Sequence, residues 1–108
     1  MKESLFDTLS ELTARDGVAG FEQDVVRYLR DAFAELADDV KVDRMGNLYA
    51  TRRGDDDGPK IMISAHSDEI GAIVKSIDAE GFLRFDTLGG VIPPMLLGRR
   101  VRVRGKLG

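Results

Sequence analysis

The spacing of apolar residues changes along this chain, and that change constrains the fold more than any single motif. Up to Leu36 the period is helical. Leu5, Leu9 and Leu12 recur at helical spacing with Phe6 and Thr13 beside them, and Ser4 stands where it can cap the first turn. Arg15 to Gly20 interrupts with two glycines. Val25, Leu29, Ala32, Phe33 and Leu36 then make one stripe, with Glu22 and Asp24 at the end of the helix dipole that favours negative charge. Asp38 and Asp39 suit the opposite end badly, so the helix is expected to stop at or before them. From Val40 the period becomes two. Val40 and Val42 alternate with Lys41 and Asp43, Met45-Gly46-Asn47 turns, and Leu48 to Thr51 returns, which predicts a β-hairpin.

Arg52 to Pro59 is a polar loop. Its Asp55, Asp56 and Asp57 lack the alternate spacing and distant glutamate of a calcium loop, so they read as a solvated turn. Lys60 to Ala65 is an apolar run that predicts a buried strand ending in His66-Ser67-Asp68-Glu69. Ile70 to Ile77, Phe82 to Leu88 and Arg100 to Arg104 read as further strands, separated by residues 78–81 and 89–94. Gly89-Gly90 is a turn rather than a phosphate loop, because neither a lysine-serine pair nor a helix follows. Helices and strands mix up to about Glu69, and antiparallel-looking strands dominate after it. The expectation is an α/β fold, a mixed sheet with flanking helices over residues 1–69, then the first strands of a small β domain over 70–108. The alternating run Val101 to Arg104 leads into Gly105-Lys106-Leu107-Gly108 with no closing partner, so the chain reads as stopping within a domain.

Composition narrows the function classes. With 108 residues, 43% hydrophobic and 32% charged, the chain suits one globular domain or a piece of a larger one. A net charge of -3 creates no field that draws it to nucleic acid or membrane. The absence of cysteine removes disulfides, thiolate metal sites and cysteine nucleophiles, and fits a reducing cytoplasm. No signal-peptide core opens the chain, and no stretch approaches the roughly 20 apolar residues of a membrane span. A soluble cytoplasmic protein is the expectation. The basic alternation Arg99, Arg100, Arg102, Arg104 and Lys106 admits a nucleic-acid reading, but only Phe82 and Phe85 accompany it, so a strand with one apolar face is favoured.

His66 is the only histidine. In a strand, residues two apart share a face, so His66 and Asp68 would project together from the strand's carboxyl end, where open α/β sheets hold their ligands. One imidazole nitrogen can then bind a metal while the neighbouring carboxylate fixes the ring through the other. A lone histidine is more often structural than a ligand, and Asp68 and Glu69 can otherwise form a solvated acidic turn, the favoured reading for Glu69.

Five blocks in order tip this balance. Gly17-Val18-Ala19-Gly20-Phe21-Glu22, Val42-Asp43-Arg44-Met45-Gly46-Asn47-Leu48 and Ala65-His66-Ser67-Asp68-Glu69-Ile70-Gly71 are the first three. Gly81-Phe82-Leu83-Arg84-Phe85 with Leu88-Gly89-Gly90, and then Gly98-Arg99-Arg100-Val101-Arg102-Val103, complete them. Together they resemble the dinuclear metallo-aminopeptidases of the glutamyl aminopeptidase or tetrahedral aminopeptidase type, some of which are described as endoglucanases. The resemblance covers the whole chain. It implies a peptidase domain with two divalent ions, zinc or cobalt, and an inserted small β-barrel domain that mediates dimerisation and assembly into dodecamers. It implies that His66 is a metal ligand and that Asp68 is the acidic residue at the catalytic centre that orients it. Glu69 matches the motif without an assigned role. Substrates would be peptides with a free N-terminus, and the implied partner is another copy of the chain.

A catalytic zinc needs about three protein ligands, and a two-metal site needs more. One histidine and no cysteine fall short, so the 108 residues alone are expected to bind metal weakly or not at all and to be inactive. A non-catalytic interaction or assembly module is the alternative reading, and a nucleic-acid-binding small β-barrel is a weaker one.

Overall fold

The computed structural model describes residues 4–105. Two helices, α1 (Leu5–Thr13) and α2 (Gln23–Ala34), precede two hairpins, β1 (Asp39–Val42) with β2 (Leu48–Thr51) and β3 (Gly71–Ile77) with β4 (Leu83–Leu88). Each hairpin is a two-stranded antiparallel sheet. The chain divides into two compact units, the first ending at Glu69 and the second beginning at Ile70.

In the first unit the local signals act as expected. Ser4 caps α1 by accepting from the Asp7 amide at 3.1 Å, and the Asp7 carboxylate accepts from the Ser4 amide at 3.1 Å. Such a box satisfies two amides that the helix leaves unpaired, and a cap is worth about 1 kcal/mol. Before α2, Glu22 accepts from the Gly20 amide at 2.7 Å, and the helix ends at Ala34, ahead of Asp38 and Asp39. Among the described residues Val25 is the buried apolar one, 6% exposed, and burying a valine side chain contributes about 1.5–3 kcal/mol. The α2 helix packs against both β1 and β2. The β1–β2 turn runs through Gly46 at φ +89°, a conformation that suits glycine.

In the second unit, β3 and β4 pair from Gly71 with Leu88 to Ile77 with Leu83, with a shift in register between Val74 and Ser76. Gly89, at φ +76°, turns the chain after β4, and Pro93–Leu96 forms one turn of 3₁₀ helix.

Three expectations are corrected. Lys60 to Ala65 forms no strand: nothing among the described residues pairs with it, and Ile61, Met62 and Ile63 are 81%, 87% and 93% exposed. An apolar run specifies burial only when neighbours lie on both sides, and sequence proximity supplies none here. Arg100 to Arg104 forms no strand either, and Val101 and Val103 lie exposed. No mixed sheet occurs among the described residues, since both ladders are antiparallel hairpins. Lys106, Leu107 and Gly108, read as the turn after that last strand, lie outside the described residues.

Candidate functional site

The His66–Glu69 segment is held to the loop between α1 and α2. The Glu69 amide donates to the Gly17 carbonyl at 2.8 Å, the Gly17 amide donates to Glu69 Oε1 at 3.2 Å, and Val18 and Glu69 form an isolated parallel bridge. Gly17 is buried. A Cβ built on it would lie 2.8 Å from Val25 Cγ2 and 3.5 Å from the Ser67 carbonyl oxygen. The missing side chain is therefore what lets the segment, the loop and α2 approach.

His66 and Asp68 come together. His66 Nδ1 lies 3.0 Å from the Asp68 carbonyl oxygen and 3.2 Å from Asp68 Oδ1. Both are acceptors while the carboxylate is ionised, so Nδ1 carries the proton and donates. That leaves Nε2 with its lone pair on a side chain 85% exposed. The arrangement has the chemistry of a histidine ligand with a fixed tautomer. Among the described residues no three histidine, aspartate or glutamate side chains cluster so as to hold a metal ion. These residues alone therefore do not fit a catalytic metal centre, and no step can be drawn through one.

Glu69 is the residue whose place the sequence did not disclose. Glu69 is exposed, as a solvated acidic turn implies, and its carboxylate also serves a backbone amide 52 positions away. The motif Gly17-Val18-Ala19-Gly20 carries a glycine signal but no hint of which segment approaches it. Elsewhere, Arg15, Asp24, Arg27, Tyr28 and Asp31 line a surface cleft. Arg15 pairs with Glu11 at 3.1 Å and lies 4.4 Å from the Tyr28 ring centroid, while Arg27 pairs with Asp24 at 3.1 Å. These are exposed helical ion pairs of the kind that contribute little. Asp55 to Asp57 lie in an exposed turn closed by the Gly58 amide on the Asp55 carbonyl at 3.0 Å.

Residues 46–108, more than half of the chain, match the family described as M42 glutamyl aminopeptidase. The lysyl aminopeptidase of Pyrococcus furiosus is 37% identical over 98 residues, which is 90% of this chain and 28% of that protein. A crystal structure of a TET aminopeptidase from a marine sediment archaeon of the Thaumarchaeota superposes with a TM-score of 0.80 at 38% identity, covering 86% of this chain and 26% of the other. An endoglucanase structure from Thermotoga maritima gives 0.74 at 38% identity, covering 80% and 28%. The chain spans 28–31% of the length of the first curated relatives it matches. On this match of sequence and fold, the chain belongs to the M42 glutamyl aminopeptidase family.

Proposed function

We propose that these residues serve a metal-dependent aminopeptidase, as the first part of its catalytic unit, with His66 as a ligand to one of two divalent ions and Asp68 as the group that orients it. The observation that carries the reading is His66 itself: Nδ1 is engaged by Asp68 at 3.0 and 3.2 Å, and Nε2 is left to bind. Two zinc or cobalt ions would supply an activated water and a polarised scissile carbonyl. His66 and Asp68 would contribute one nitrogen ligand and its orientation, and the remaining ligands and the general base would come from outside these 108 residues. The Pyrococcus furiosus relative is named for lysine and the family for glutamate, so the substrate class proposed is peptides with a free N-terminus rather than one side chain.

In this reading residues 1–69 belong to the peptidase domain and residues 70–108 begin an inserted β-barrel domain that mediates assembly, from a dimer up to a dodecamer. The TET aminopeptidase neighbour supports that part, and the absence of a membrane-crossing helix among the described residues accords with a cytoplasmic enzyme. The test is His66→Ala in the intact protein that carries these residues. Loss of an outer partner of a metal ligand already costs 10–100-fold, so removing the ligand should lower peptide turnover by more than about 100-fold and reduce bound metal. Unchanged metal content and unchanged release of N-terminal residues would refute the reading.

A further inference from the structure

We infer that Gly17 and Glu69 form a positioning clamp that holds His66 in the Nδ1–H tautomer with Nε2 free. The inference rests on the reading of His66 as a ligand for its purpose, but not for its geometry.

The argument turns on one peptide unit. The peptide between Asp68 and Glu69 is hydrogen-bonded at both ends. Its carbonyl accepts from His66 Nδ1 at 3.0 Å, and its N–H donates to the Gly17 carbonyl at 2.8 Å. His66 is thus linked to the α1–α2 loop through a single rigid plane. Bonds in such a chain polarise one another, and the orientation of the plane sets where the imidazole donor must point.

The Glu69 side chain then closes the arrangement. Its Oε1 accepts from the Gly17 amide at 3.2 Å, so Glu69 engages both backbone groups of Gly17, one through its own amide and one through its carboxylate. Gly17 is buried, and a buried amide left without an acceptor costs free energy that the loop would relieve by opening toward water. Opening would release the Glu69 amide from the Gly17 carbonyl. The 68–69 peptide would then be free to rotate, and its carbonyl would no longer be held against Nδ1. Asp68 Oδ1, at 3.2 Å, is carried on the same backbone and would move with it.

Gly17 takes part through what it lacks. Any Cβ there meets Val25 Cγ2 at 2.8 Å and crowds the Ser67 carbonyl at 3.5 Å, and Ser67 lies between the two residues of the site. Glu69 and Gly17 therefore act through Asp68 on His66, and neither is placed to touch a substrate. They are positioning residues. The tautomer they favour is not the one a free histidine side chain prefers in water, where Nε2–H dominates; on this exposed ring the acceptors that select it are the Asp68 carbonyl and carboxylate, both carried on the clamped backbone.

The test uses the metal-free intact protein that carries these residues, with the ring-nitrogen signals of His66 assigned by their loss in His66→Ala. Long-range ¹H–¹⁵N spectra in alkaline buffer, where imidazole is neutral, read the tautomer directly. The unmodified protein should show Nδ1 as the protonated nitrogen and Nε2 as the bare one. Glu69→Ala should exchange the two signals toward the Nε2–H form and lower the hydrogen-exchange protection of the Gly17 amide by roughly tenfold, the loss of one hydrogen bond. Glu69→Gln keeps an oxygen acceptor and should retain the Nδ1–H form. A variant that merely destabilised the fold would not be rescued in this way. Should Glu69→Ala not fold, Glu69→Gln and the protection of the Gly17 and Glu69 amides in the unmodified protein decide. An Nε2–H ring in the unmodified protein, a Glu69→Ala spectrum identical to it, a Glu69→Gln spectrum like that of Glu69→Ala, or unprotected Gly17 and Glu69 amides would each overturn the clamp. These readouts are distinct from those of the metal reading, which His66→Ala in the intact protein tests through bound metal and peptide turnover.

Discussion

Asp43 shows how much one side chain can fix. Its Oδ1 accepts from the Met45 and Asn47 amides, both at 2.9 Å, and its Oδ2 accepts from Asn47 Nδ2 at 2.9 Å and the Tyr49 hydroxyl at 3.3 Å. The hydrogen bond from the Asn47 side chain, above all, holds the carboxyl below its ordinary value, with desolvation pulling the other way. The Ser4 hydroxyl does the same for Asp7. Because both folded values are lowered, the stabilisation is fully present above the ordinary carboxylate value of about 4 and is lost as pH falls through the lowered ones. Asp43→Asn should therefore be less stable than the unmodified chain at neutral pH, and the difference should shrink below about pH 4. Denaturant melts across pH check this, and a gap that widens in acid would contradict it. At Gly17 the expected effect is steric. Val25 is β-branched and helical, so its χ1 is nearly fixed and Cγ2 cannot swing away from an added methyl. Gly17→Ala should cost about 1–3 kcal/mol in the same melts, the usual price of overpacking, and a neutral change would mean that the contact gives way freely.

At the scale of elements, the parts legible in the sequence are those fixed by near neighbours. Ser4 with Asp7 starts α1, the Val25 stripe makes α2, and Asp43 to Asn47 turns the first hairpin, each through residues spaced no more than four positions apart. The parts that were not legible depend on distant partners. Lys60 to Ala65 has the composition of a buried strand and Arg100 to Arg104 the alternation of an edge strand, yet neither is a strand among the described residues. His66 and Asp68 do meet, but not as neighbours on a strand face, because residues 60–68 form no strand; a local contact two positions apart brings them together. The Glu69 bond to Gly17 was not legible, since no periodicity links residues 52 apart. The two hairpins should also differ in persistence. The β1–β2 pair packs against α2, whereas β3 and β4 have no described α-helix in their own unit. A two-stranded hairpin is marginal by itself, so hydrogen exchange on the 108-residue chain should find β3–β4 amides less protected than those of β1–β2. Equal protection would show that the second unit is stabilised by more than its own ladder.

For the whole molecule, the balance of exposed apolar surface matters most. Ile61, Met62 and Ile63 form one uncovered run, and Ile73, Val74, Ile77, Phe82 and Phe85 leave β3–β4 with exposed apolar side chains. Exposed apolar patches and unpaired edges associate. The 108-residue chain should therefore self-associate at micromolar concentration in light scattering, and a monomer with a sharp cooperative melt would contradict this. The same chain should release no N-terminal residues from peptides, because one histidine and no cysteine fall short of the ligands a catalytic metal needs. The central claim is that His66, oriented by Asp68, is the metal-binding group of these residues. Zinc titration by calorimetry, on the unmodified chain and on His66→Ala, tests it most directly. The account predicts binding weaker than the ~10 kcal/mol that marks the low end of structural zinc sites, and its disappearance in the variant. Tight binding that survives His66→Ala would contradict it.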